Sequence, residues 1–167
     1  APQLFDRVER NVELGYTDQD EFQKGLRYAF EGLKMEQTLL DLQATVEAAT
    51  AYGKVGVVGY CFGGLLTWMS ACEVSGVAAG SAYYGGGTAG QVHRSPKCPV
   101  MMHFGERDHW IPADSVKAFA TAQPAVQVHL YAADHGFNCD HRGSYNAPAA
   151  DLALERTLAF FIRHLGD

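Results

Sequence analysis

Val55-Gly56-Val57-Val58-Gly59-Tyr60-Cys61-Phe62-Gly63-Gly64 is the stretch from which the rest of the chain is read. Its β-branched, apolar run predicts a strand buried on both faces that stops at Gly59. A helical pattern begins after Gly63-Gly64, with Cys61 at the turn. In the nucleophile-elbow pattern G-x-nucleophile-x-G, small residues stand two before and two after the nucleophile, because the tight turn brings strand and helix too close for a Cβ. Gly59 and Gly63 hold those places. Such a turn lifts the Cys61 sulfur above the carboxyl edge of the sheet and aims a helix N-terminus at it, which favours negative charge there. Read alone, the stretch fits a buried cysteine in a glycine turn equally well.

Upstream of this elbow, residues 1–17 carry no sustained period and read as an irregular excursion. Thr17 with Asp20 resembles a capping box, and Phe22, Leu26, Phe30 and Leu33 repeat at helical spacing, predicting a first helix over about 18–33. Met35, Leu39, Leu42, Val46 and Ala49 predict a second, closed by Gly53. Downstream, Leu65, Leu66, Trp68, Met69 and Cys72 make an almost wholly apolar helix, as behind a central strand. Val77 to Tyr84, Pro99 to Phe104 and Val126 to Tyr131 read as strands. Pro112 to about Ala122 reads as a helix with proline in its first turn, and Ala149 to Leu165 as an amphipathic terminal helix. Strands alternating with helices predict an α/β fold, a mainly parallel sheet with helices on both faces. Ligands of such sheets sit at the carboxyl ends of the strands.

Composition narrows the function classes. The 167 residues, 47% hydrophobic and 19% charged, fit one domain with a sizeable core. A net charge of −6 without a basic run argues against nucleic acid or an anionic membrane as partner, and no long apolar stretch or signal peptide is seen. Four irregularly spaced cysteines read as reduced thiols, which points to the cytoplasm. The chain opens Ala1-Pro2-Gln3 without a methionine, as a fragment or processed protein does.

Three strand ends then offer one chemistry. Cys61 follows the first strand, Gly105-Glu106-Arg107-Asp108 the third, and Ala133-Asp134-His135-Gly136 the fourth. Nucleophile, acid, histidine is the triad order of α/β-hydrolases. The histidine takes the thiol proton and later gives it to the leaving group, and the carboxylate fixes the histidine's tautomer and orientation. Asp134 precedes His135, but adjacent residues on an extended segment point opposite ways, which favours Asp108.

The motifs G-Y-C-F-G-G at 59–64, G-E-R-D-H-W-I-P at 105–112, D-H-G-F at 134–137 and A-L-E-R-T-L-A-F-F at 153–161 closely resemble the dienelactone hydrolase family of cysteine-dependent α/β-hydrolases. M-E-x-x-x-x-D-L at 35–42 and Y-Y-G at 83–85 extend the likeness over essentially the whole chain. The resemblance implies a hydrolase of small esters or lactones with Cys61 as nucleophile, Asp108 as orienting acid, His135 as base and no cofactor. The Phe62 amide is then one oxyanion donor, as the residue after the nucleophile generally is.

The departures from the family pattern are informative. Family members carry a further N-terminal segment holding the first strands, the loop of the second oxyanion donor and a glutamate that interacts with the nucleophile. The expectation is therefore a single, N-terminally truncated domain over 1–167, or one completed by a partner, with an exposed sheet edge where those strands would lie. Dienelactone-specific members also hold a substrate carboxylate with arginines, and here Cys139 and Gln23 stand at the corresponding places. Arg142 or Lys24 is the expected substitute. Two rival readings stay open, a non-catalytic hydrolase-fold binding module and a peroxide-responsive thiol protein.

Other candidates carry competing readings. Cys72 and Cys98 read as core thiols, and His103 and His129, in strands, as structural. His135, Cys139, Asp140 and His141 cluster in sequence, but the triad needs a free nitrogen on His135, so no metal is expected. Tyr84, Trp110 and Phe137 are candidates for an apolar substrate pocket and equally for ordinary core aromatics.

Overall fold

A computed structural model describes residues 1–166. Four strands, β1 (Val55–Tyr60), β2 (Val77–Tyr83), β3 (Val100–Gly105) and β4 (Gln127–Tyr131), form one parallel sheet in the order β1-β2-β3-β4. Because the order advances in one direction, the crossovers of β1 to β2 and β3 to β4 lie on one face, as right-handed connections require. They are α3 (Phe62–Glu73) and α4 (Ala113–Ala122), joined where Trp68 meets Phe119 edge to face. The opposite face is covered by α5 (Ala147–Leu165), whose Phe160 packs on Ala79 and Met101. Helix α2 (Met35–Thr50) packs Leu42 and Val46 against Leu66 of α3.

α3 buries every residue from Gly64 to Cys72, which explains why its sequence shows almost no polar face. α5 begins two residues before the expected Ala149, because the Asn146 side chain caps it by accepting from Ala149 N at 3.1 Å. It buries Ala153, Thr157 and Phe160 but leaves Leu154, Leu158 and Ile162 exposed, so its outer face is more apolar than an amphipathic helix predicts. At α4, Pro112 is the cap itself, its carbonyl accepting from Ser115 N and Val116 N.

Two expectations need correction near the N-terminus. The capping residue of α1 (Gln19–Arg27) is Asp18, whose Oδ1 accepts from Asp20 N and Glu21 N at 2.9 and 3.0 Å, rather than Thr17. The helix then widens into a π turn over Tyr28–Gly32 instead of running on to residue 33, and Phe30 is left exposed. At the end of α2 the cap is Ala51, and Gly53 lies two residues beyond it with φ +131°.

β1 is also not buried on both faces. It is the edge of the sheet among the described residues, with Val58 and Tyr60 exposed at 46% and 45%. The Val-Gly-Val-Val run has the composition of a central strand but no neighbour on its outer side, and an unpaired edge of this kind was the expectation drawn from the strand count.

Candidate active site

The elbow is built by backbone contact. A Cβ at Gly59 would lie 2.0 Å from the Gly63 carbonyl oxygen, and one at Gly64 would lie 2.5 Å from Tyr83 O. The strand and helix axes can approach this closely only where both side chains are hydrogen. Gly63 is different, because a Cβ there meets nothing within 4 Å. The close packing the pattern attributes to Gly63 thus belongs to Gly59 and Gly64. Cys61 itself sits at φ 53° and ψ −115°, a conformation L-residues rarely adopt, held by Cys61 N donating to Tyr83 O at 3.0 Å and Cys61 O accepting from Gly64 N at 2.9 Å.

Two loops converge on that sulfur. After β3, Glu106 N donates to Tyr131 O and Arg107 N to Ala133 O, which ties the Asp108 loop to the loop after β4. Asp108 Oδ1 accepts from Trp110 N at 2.8 Å and Ile111 N at 3.0 Å, leaving Oδ2 for His135 Nδ1 at 2.7 Å. His135 Nε2 then lies 3.2 Å from Cys61 Sγ. Burial alone would raise the Asp108 carboxyl, but the hydrogen bond and charge of His135 and the two amides hold it below the usual range. Burial alone would lower His135, yet the hydrogen bonds and charges of Asp108 and Cys61 outweigh it and raise the imidazole to about 9.

Phe62 opens α3, where the first N–H groups have no intrahelical acceptor, so its amide is free to meet an anion beside Cys61. Its ring is pinned edge-on by Phe30 of the π turn at 5.3 Å. Tyr84, at φ 37°, is buried with its ring 5.1 Å from that of His135. Trp110 is the other aromatic neighbour, stacked on His135 with its ring 5.7 Å away at an interplanar angle of 19°, and is 60% exposed. Phe137 is wholly buried among Tyr83, Tyr84 and Tyr131, so it backs the site from the core instead of walling an open pocket.

A cleft of about 390 Å³ opens over the sulfur, lined by Tyr60, Cys61, Tyr84, Cys139 and Arg142 together with Tyr16. Arg142 reaches this cleft with its guanidinium over the Phe22 ring, whereas Lys24 is bound to Glu9 at 2.8 Å and Gln23 is exposed on α1. Tyr16 and Tyr60 were not foreseen. Tyr60 carried a signal, as the residue before the nucleophile, but Tyr16 lies in a segment without period, and only the path of the chain brings it here. Asp134 makes no hydrogen bond to His135, and Asp140 and His141 are exposed with 3.8 Å between them, while His135 turns inward.

His103 and His129 lie on the α5 side of the sheet. His103 is fully buried, bonded to Tyr131 Oη at 2.7 Å and Thr157 Oγ1 at 3.1 Å, and burial, with help from His129 and Arg156, lowers it to about 3. Both belong to the packing of α5 and stand apart from Cys61. Cys72 is buried on α3, its thiol raised to about 11 by burial above all.

The architecture and sequence have known counterparts. The chain is 38% identical over 171 residues to a carboxymethylenebutenolidase of Pseudomonas putida, covering 96% of this chain and 71% of that protein. A carboxymethylenebutenolidase of Pseudomonas sp. strain P51 is 32% identical, with 98% and 71% covered. Among solved structures, a Klebsiella pneumoniae protein provisionally described as a dienelactone hydrolase superposes with a TM-score of 0.67 at 28% identity, over 75% of this chain and 60% of that one. The Thermogutta terrifontis esterase Est2 superposes with a TM-score of 0.64 at 16% identity, over 84% and 70%, which shows a shared fold. These counterparts identify the four-stranded sheet as part of an α/β-hydrolase fold. The chain spans less than two thirds of the Klebsiella structure. The profile of the dienelactone hydrolase family matches residues 1–165, and with it the chain belongs to that family of hydrolases.

Proposed function

We propose that this protein hydrolyses small esters or lactones through an acyl-enzyme on Cys61. The observation that carries this is the single chain of contacts from Asp108 through His135 to Cys61, at 2.7 and 3.2 Å, on three separate strand ends. Cys61 attacks the carbonyl carbon with its proton held by His135. The tetrahedral oxyanion forms beside the Phe62 amide, and collapse breaks the C–O bond as His135 protonates the leaving oxygen. Water then attacks the thioester with His135 as base, releasing the acid and restoring the thiol. Arg142 in the cleft supports a carboxylate-bearing substrate, and the names of the Pseudomonas relatives agree with a lactone of that kind.

The test is turnover of lactones and aryl esters with a pre-steady-state burst of the alcohol, expected to be stoichiometric with Cys61. Steady turnover with no dependence on Cys61 contradicts the proposal. Two predictions follow from the Asp108–His135 contact. Asp108→Asn presents an amide N–H to Nδ1–H and is expected to lower kcat by about 10² to 10⁴-fold. Because His135 titrates at about 9, kcat/KM is expected to decline above about pH 9 as the proton for the leaving oxygen is lost. In Asp108→Asn this limb moves to lower pH, since a raising contribution is gone. A limb that stays in place excludes His135 as its source. Stability follows the same sign. The folded value lies above the ordinary 6.5, so this contribution is complete below 6.5 and is lost as pH rises through about 9.

One observation favours a second reading. Cys139 lines the same cleft as Cys61 and both are free thiols, an arrangement open to peroxide-driven disulfide formation. Peptide mapping after peroxide treatment decides it, and a Cys61–Cys139 bond in a chain without ester turnover favours the thiol-switch reading.

A further inference from the structure

We infer that the cleft behind Trp110 seats the alcohol half of an ester substrate and takes a short, unbranched apolar group, an inference that rests on the Cys61–His135 reading. This second cleft encloses about 110 Å³ between the loop after β2 and the start of α4. Gly85, Thr88, Ile111, Ser115 and Phe119 form its walls, and Trp110 closes one side. The two hydroxyls are internally satisfied, Thr88 Oγ1 by Gly85 O at 2.8 Å and Ser115 Oγ by Pro112 O at 2.7 Å. The surface offered to a ligand is therefore mainly apolar, because neither hydroxyl keeps its proton for one.

Trp110 links the smaller cleft to His135. It walls the smaller one and stacks on His135, the group that protonates the leaving oxygen. That oxygen must come within hydrogen-bond reach of His135 Nε2, so its substituent is carried past the imidazole toward the indole. The acyl half lies on the other side, in the cleft of Tyr60, Tyr84 and Arg142. A space of this size equals about four waters at roughly 30 Å³ each, room for a chain of about four carbons. The leaving group is thereby selected by length, and the acyl group by charge.

The test is a series of acetate esters of methyl through octyl alcohols on the full chain and on Ser115→Leu. In the full chain kcat/KM is expected to rise roughly fourfold per methylene up to about four carbons and then to level off. Ser115→Leu fills the cleft and moves the break to about two carbons. Alcohol-length profiles that coincide in the two proteins overturn the subsite. Binding of free 1-butanol, followed through the NMR resonance of the Trp110 indole N–H, separates this from failure of the catalytic reading. A shift in the full chain that is lost in Ser115→Leu supports the subsite, and no shift in the full chain overturns it whatever the turnover. A shift in a protein whose ester turnover survives Cys61→Ala overturns the catalytic reading and upholds the cleft as an alcohol site.

Discussion

Replacing Cys61 by alanine is expected to lower kcat for ester or lactone turnover by at least about 10⁴-fold, with little change in KM. The size follows from the arrangement. Among the described residues, Cys61 is the one cysteine within 3.2 Å of a histidine that is itself held by a buried carboxylate, and without its sulfur no covalent intermediate can form. His135→Ala is expected to fall in the same range, and the double variant little further, because groups acting as one unit are not additive. Steady-state kinetics on one aryl ester with the two single variants and the double variant checks this. A double variant that loses the product of the single losses means that the two side chains act independently. Stability is expected to change little, since alanine keeps the Cβ that makes φ 53° costly and only the sulfur is lost.

The second large effect is on folding. Gly59→Ala places a methyl carbon 2.0 Å from the Gly63 carbonyl oxygen and 2.7 Å from Thr67 Oγ1. The first is backbone and cannot rotate away, so β1 and α3 must separate. The cost is expected to be about 3 kcal/mol or more. In a protein of this size that lowers the melting temperature by roughly 6 to 12 °C. The displaced elbow also misplaces the sulfur, and a shift of about 1 Å at a nucleophile lowers kcat by about 10²-fold. Gly63→Ala supplies the contrast, because open space surrounds that Cβ and the expected change in stability stays within about 1 kcal/mol. Thermal melts of the two variants side by side decide the matter, and equal destabilisation contradicts the assignment of the close contact to Gly59.

What the sequence discloses, and what it hides, follows from where each signal resides. The elbow is local, as three glycines and a cysteine within six residues constrain one turn, so the strand and helix around Cys61 are legible without any tertiary information. The Asp108–His135 pairing is not local. It became legible only because each residue follows a strand of a parallel sheet, where loops must converge. The π turn at Tyr28–Gly32 left no trace in the apolar spacing of Phe22, Leu26 and Phe30, and the contact it makes, Phe30 against Phe62, lies 32 residues away in the chain. The exposed edge was legible in the strand count but not in the composition of β1, because Val-Gly-Val-Val is the pattern of a strand covered on both faces. Phe137 and Tyr84 show the same limit within the site. Both are aromatic residues beside strand ends, and only packing distinguishes the one that touches His135 from the one that lies behind it. Trp110 and Ile111 could not be read as the partners of Asp108 from residue type at all, for they contribute backbone amides.

Acylation of Cys61 is tested by reacting the full chain with an aryl ester, quenching in acid within the burst phase, and mapping the adduct by peptide mass. One acyl group is expected on the peptide containing Cys61, removed by hydroxylamine as a thioester is and absent from Cys61→Ala. Ester turnover with no acyl group on Cys61, or with the acyl group on another side chain, contradicts it.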